Sequence, residues 1–251
     1  MIAPETKEFV EMGSPRSMLI ISAHAADFVW RAGGVIALHT AAGGTATVVS
    51  LSYGENGESG DLWREPGQTV EVVKSHRHAE ALAATTALGA DFVPLDLGDY
   101  PLEVSGPSLQ RLVTIFVNVR PDVVLIHATE DPFNPDHPVA SLAAQKARIL
   151  ATGAGGVAAS FATIPPPMMY AFEPHQPDLC SFRPNTFVDV TGVWPMKSNA
   201  MSAMAAQQYL QDHYTQRAEQ RAFQARYAGF GPETKYVEVF QRLTPEKRSA
   251  L

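Results

Sequence analysis

Four short apolar runs alternate with longer stretches of helical character along the first half of the chain, and this alternation restricts the fold more than any other feature. Residues 18–21 (MLII), 45–51 (TATVVSL), 92–95 (FVPL) and 122–127 (DVVLIH) are short and bounded by turn residues, the pattern of strands buried on both faces. Between them, a segment around residues 35–38 closed by Gly43 and Gly44, residues 75–88 closed by Gly89, and residues 109–119 read as helices. Strands joined through helices run parallel, so the expected class is α/β: a mostly parallel sheet covered by helices on both faces, three layers in all.

Beyond residue 127 the pattern continues with a helix over 139–150, stopped by the glycines of ATGAGG, and strands over 168–172 and 187–190 flanking a Pro-rich loop. Residues 197–227 are polar, alanine-rich and nearly free of breakers, which predicts one long C-terminal helix. No composition shift marks a boundary, so residues 1–251 are expected to form one domain. Residues 1–15 contain acids and no apolar core, as expected of a short lead-in segment and not of a secretory signal or anchor.

Composition narrows the function. Cys180 is the single cysteine, which excludes an internal disulfide framework, fits a reducing cytoplasm and assigns Cys180 to packing. A net charge of -7 with no basic run argues against a nucleic-acid or membrane-surface partner and favours a small molecule. In open parallel sheets ligands collect beyond the carboxyl ends of the strands. The loops expected there are residues 24–27, 53–58, 128–137 and 173–176. No GxGxxG follows the first strand, and GxSxG and GxxxxGK[ST] are also absent, which removes the main support for dinucleotide, serine-hydrolase and phosphate-loop readings. What remains is rich in histidine and acids: His24, Asp27, Glu55, Glu58, Asp136 and His137. Two imidazoles and a carboxylate around an open face suit Zn²⁺ or Fe²⁺. The same residues are compatible with a plainer role, Asp27 capping the following helix and the histidines lying in polar loops, and spacing does not choose between them.

Five stretches carry a resemblance: AHAAD (23–27), YGENGESG (53–60), RHAEALAATTALG (77–89), DPFNPDHPVA (131–140) and FVDVT (187–191). Together, in this order, they resemble the PIG-L (LmbE-like) family of metal-dependent N-acetylglucosaminyl deacetylases. The resemblance implies a Rossmann-like fold, a homo-oligomer, and a metal, zinc with Fe²⁺ or Co²⁺ as alternatives, held by His24, Asp27 and His137. One departure bears on chemistry: where that family has the Asp that serves as base, this chain has Ala26, and a methyl takes no proton. Asn134 stands where some deacetylases have a histidine.

With ADFVWRAGG following, Ala26 resembles a hydratase branch of the family that adds water across a carbon–carbon double bond of an unsaturated oxo-tricarboxylate. That resemblance implies Glu58 as the residue that activates water, with Glu55 second, and His175 as the acid that protonates carbon near neutral pH. A tricarboxylate needs cationic partners, and Arg matches a carboxylate bidentately, so Arg31 and Arg77 are expected to bind substrate together with Asn134. For Arg77 a structural pairing with Glu80, one turn later, is equally open. Glu55 bracing its Gly-rich turn is likewise open. Arg64, Lys74, His76 and His78 are weaker candidates. A deacetylase using another base, or a metal-containing binding protein without catalysis, are the rival readings.

Overall fold

The computed structural model describes residues 17–154 and 162–246. The lead-in segment 1–15 and the glycines 155 and 156 lie outside them. Seven strands form one sheet: β1 Ser17–Ser22, β2 Thr45–Ser50, β3 Asp91–Pro94, β4 Val123–Ile126, β5 Met168–Phe172, β6 Thr186–Asp189 and β7 Val237–Arg242. Their order is β3-β2-β1-β4-β5-β7-β6. The first five are parallel, and β7 runs antiparallel to both β5 and β6. The mostly parallel α/β sheet is therefore observed, with an antiparallel edge.

Why β1 is apolar between its two terminal serines follows from its two buried faces. Ile20 packs with Phe28, Val29 and Ile36, whereas Leu19 and Ile21 pack on the opposite face with Leu112 and Phe116. Successive side chains of a strand point to opposite sides, so a central parallel strand alternates between two cores rather than between core and water. The helices follow as α1 Asp27–Ala41, α2 Gly60–Trp63, α3 Val70–Leu88, α4 Gly106–Val119, α5 Asp136–Thr152, α6 Trp194–Ser202 and α7 Leu210–Ala225. Thr69 caps α3 by accepting from the Val72 N–H, and Gly89 ends it at φ 69°, a left-handed position that costs glycine little.

Three expectations are corrected. The 197–227 helix is broken: α6 ends at Ser202, a 3₁₀ turn covers Ala205–Gln207, and α7 begins at Leu210. Helix-forming composition yields here to burial, because the break lets Met204 and Gln207 turn inward, at 0 % and 3 % exposure. Strand β7 was not expected, although Val237 and Val239 alternate with polar residues and are both buried. Asp136 and His137 begin α5 instead of ending a loop.

A buried ion pair locks the middle of α1. Lys197 is 1 % exposed, and its Nζ lies 2.6 Å from Glu238 Oε1 and donates to the Trp30 carbonyl. The Glu238 carboxylate in turn accepts the Gly34 and Val35 N–H groups, each at 2.8 Å. A Cβ on Gly34 would stand 2.8 Å from Val190 Cβ, so only glycine allows this approach. Among the described residues no helix is long and apolar enough to cross a membrane.

Candidate metal centre and active site

Ligands converge beyond β1 and β4 because both central strands end at the same edge. The His24 ring, 1 % exposed, is positioned by the turn after β1, where the Asp27 carboxylate accepts the His24 backbone N–H at 2.8 Å. Asp27 therefore turns back to its own loop and does not cap α1. One nitrogen of His24, Nδ1, lies 3.3 Å from Asp27 Oδ2, and His137 Nε2 lies 3.5 Å from Asp27 Oδ1. One ligand atom from each of His24, Asp27 and His137 falls within 4.8 Å of the others.

The opposite ring nitrogens are already engaged. His24 Nε2 meets Asp136 at 3.3 Å, and His137 Nδ1 meets Asp131 at 2.8 Å. A carboxylate behind each imidazole takes one N–H and orients the other nitrogen as a metal donor. His24 Nδ1 and His137 Nε2 are buried polar atoms with no hydrogen-bond partner, and both face Asp27. Buried polar atoms are rarely left unpaired, so these two orphans mark where a cation fits. The charge balance agrees. Burial alone would lower the His24 pKa, but Asp136, Asp27 and Glu58 outweigh it and hold the imidazole up at about 10. Against its own burial, Asp27 is held well below the usual carboxylate range by His127 and His137. Acids outnumber cations around the cluster, the condition a divalent ion relieves.

Glu58 borders this cluster, 3.9 Å from His24 Nδ1, with 21 % of its side chain exposed. Its Oε1 accepts from the Tyr100 hydroxyl at 3.1 Å and from Asn134 Nδ2 at 2.9 Å, while Oε2 accepts from Gln207 Nε2 at 2.9 Å. Glu55 is placed differently. Its carboxylate accepts the Tyr53 N–H and pairs with Lys74 Nζ at 3.4 Å, so it braces the turn and is removed from the expected catalytic set. Arg77 is corrected too: fully buried, it donates to Tyr53 O, Glu80 and Gln207 and has no face left for a ligand. Asn134 is spent on Glu58 and on the Asp136 N–H, which makes it an orienting group for the carboxylate. Arg31 remains available: its Nε, 3.6 Å from Asp27 Oδ1, has no hydrogen-bond partner, while its guanidinium donates to Glu173 O.

His175 stands near this rim with Nδ1 3.1 Å from the Tyr214 hydroxyl. Burial, assisted by Arg31, lowers its pKa to about 3, so the free imidazole is neutral at pH 7. The expected role of acid near neutral pH therefore requires that His175 gain its proton in the complex with substrate. Among the weaker candidates, Arg64 pairs with Asp61 at the surface, Lys74 is taken by Asp96 and Glu55, and His78 packs between Tyr53 and Phe92. Several site residues were missed. His127 stacks on His137 with ring centroids 4.0 Å apart and accepts the Ala23 N–H. Tyr100 packs parallel to His24, and Asp131, Gln207 and Tyr214 position the others. Asp131 was findable, since it stands in the same DPFNPDH stretch as His137; Gln207 and Tyr214 sit in featureless polar sequence.

Comparison with known proteins accords with this geometry. The chain is 46 % identical over 224 residues to a 4-oxalmesaconate hydratase of Pseudomonas putida, covering 89 % of this chain and 86 % of the relative. The crystal structure of GalB, the 4-carboxy-2-hydroxymuconate hydratase from Pseudomonas putida KT2440, superposes with a TM-score of 0.90 at 44 % identity, covering 94 % of this chain and 99 % of that one. N,N'-diacetylchitobiose deacetylase from Pyrococcus horikoshii shares the fold at a TM-score of 0.74 and 18 % identity, over 91 % of this chain and 84 % of that one. The model of the family PIG-L, described as GlcNAc-PI de-N-acetylase, matches residues 19–148, and the chain belongs to that family.

Proposed function

We propose that the chain is a metal-dependent hydro-lyase that adds water to 4-carboxy-2-hydroxymuconate, or its keto form 4-oxalomesaconate, giving 4-carboxy-4-hydroxy-2-oxoadipate. The observation that carries this reading is Ala26 beside an intact His24–Asp27–His137 cluster, with Glu58 the carboxylate left to handle water. The likeness to a Pseudomonas putida hydratase, in sequence and in crystal structure, supports it. A deacetylase reading lacks the base that would stand at Ala26.

His24, Asp27 and His137 would hold the cation, for which we propose Zn²⁺, with Fe²⁺ or Co²⁺ as substitutes. When bound, such an ion lowers the pKa of water and stabilises developing negative charge. Glu58 accepts the water proton as the hydroxyl adds to one alkene carbon. The electron pair of the double bond moves to the neighbouring carbon and its conjugated carboxylate, a charge that Arg31 would face through its unpartnered Nε. His175 supplies the proton to this carbon. The substrate's own carboxylates raise the imidazole's proton affinity from its free value of about 3, so the acid is formed in the complex. Solvent then takes the proton from Glu58 and recharges His175.

The test is an absorbance assay with freshly generated 4-carboxy-2-hydroxymuconate and metal-loaded protein. Expected is chelator-sensitive loss of the conjugated chromophore with one water gained by mass. A persistent chromophore, with acetate released from an N-acetyl sugar, would establish the deacetylase instead.

A further inference from the structure

We infer that Gln207 is a positioning residue that sets the orientation of Glu58 and leaves a single acceptor site open on it. This rests on the reading of Glu58 as the carboxylate that takes the water proton. Gln207 is 3 % exposed and comes from the 3₁₀ turn between α6 and α7, far in sequence from the metal ligands. Its amide cannot rotate. Oε1 accepts from Trp30 Nε1 at 3.3 Å and from Arg77 at 3.1 Å. A flipped amide would set its NH₂ against two N–H donors, so Nε2 must face Glu58.

The turn itself is clamped from α3 by two residues of one ion pair. Arg77 and Glu80 meet at 2.6 Å; Arg77 holds the Gln207 oxygen while Glu80 accepts the Ala206 N–H at 2.8 Å. The rigidity of a fully buried guanidinium is thereby passed through Gln207 to the partly exposed carboxylate. A carboxylate has about four lone-pair sites. Tyr100 and Asn134 fill those of Oε1, the oxygen 3.9 Å from His24 Nδ1, and Gln207 fills one on Oε2, so among the described residues the remaining site is on Oε2, in an orientation that Gln207 determines.

The experiment is a double-mutant cycle on the metal-loaded enzyme. Gln207→Glu keeps an acceptor for Trp30 and Arg77 and replaces the donor to Glu58 with a second carboxylate oxygen; Gln207→Leu removes the donor without adding charge. Both are expected to lower kcat by about 10- to 100-fold, the scale of a misplaced reacting group, with KM within about threefold and metal content unchanged. Glu58→Gln is expected to cost more, and Glu58→Gln with Gln207→Leu no more than Glu58→Gln alone. In crystals of the Gln207 variants Glu58 should occupy more than one rotamer. The inference is overturned by kcat within twofold in both variants, or by losses that multiply in the double variant. If Glu58→Gln itself keeps full turnover, the catalytic reading of Glu58 fails. The rotamers then decide the positioning separately, and a single ordered Glu58 in the Gln207 variants overturns it.

Discussion

Asp131→Asn should turn His137 into a poor metal ligand without removing any ligand. Asp131 uses its two oxygens differently: Oδ1 accepts the Phe133 and Asn134 backbone N–H groups at 3.0 and 3.2 Å, and Oδ2 meets His137 Nδ1 at 2.8 Å. In the variant the amide oxygen stays with the two backbone donors, and the NH₂ group replaces Oδ2. A donor facing Nδ1 forces that nitrogen to accept, which places the ring proton on Nε2, the atom turned to Asp27. Metal binding then requires the amide to flip, forfeiting two backbone hydrogen bonds at about 1 kcal/mol each. The total of roughly 2 kcal/mol is about a 30-fold weaker Kd, inside the 10- to 100-fold range typical of such supporting carboxylates. Chelator competition with Zn²⁺ measures it directly. An affinity within about threefold of the parent would refute the reasoning. So would nitrogen NMR of the metal-free variant that finds the His137 proton on Nδ1.

Lys197→Met should cost about 3 kcal/mol in urea unfolding, the lower end for breaking a buried pair, because the Gly34 and Val35 N–H groups still hold Glu238. A loss under about 1 kcal/mol would show that the pair is incidental. His175 predicts an acid limb of stability. Its folded pKa of about 3 lies below the ordinary 6.5, so between these values the unfolded chain binds a proton that the folded one does not, and stability falls as pH drops from about 6.5 toward 3. The urea midpoint of His175→Phe should therefore change less over that window than the parent's; parallel profiles would contradict the assignment.

What the sequence shows well is whatever repeats locally. The runs that became β1, β2 and β4 stand out because Met18–Ile21, Val48–Val49 and Val123–Ile126 are buried whichever face they point to, and so are apolar. His24 and Asp27 share one turn, and His137 stands at the start of α5 six residues after Asp131, so local motifs and the resemblance they carry pick out all three members of the cluster. What cannot be read is the pairing of distant residues. His24 meets Asp136 across 112 positions and Gln207 meets Glu58 across 149, and nothing periodic announces either. The same limit explains the two arginines: Arg31 and Arg77 are equivalent as sequence, and only burial against Glu80 and Gln207 separates the spent guanidinium from the available one. The break after α6 escaped notice because its cause, burial of Met204 and Gln207, is tertiary.

The Lys197–Glu238 ion pair that holds α1 has a consequence for how the chain is made. Trp30, Gly34 and Val35 leave the ribosome early, and their partners Lys197 and Glu238 arrive near the end. At roughly 5–20 residues per second, Glu238 follows Gly34 by about 10–40 s. For about the second half of that interval, once His137 has been made, a nascent chain carries His24, Asp27 and His137 without Glu238, which holds the helix beginning at Asp27. A fragment ending before β7 thus contains all three proposed ligands and lacks the last fastening of the helix that presents one of them.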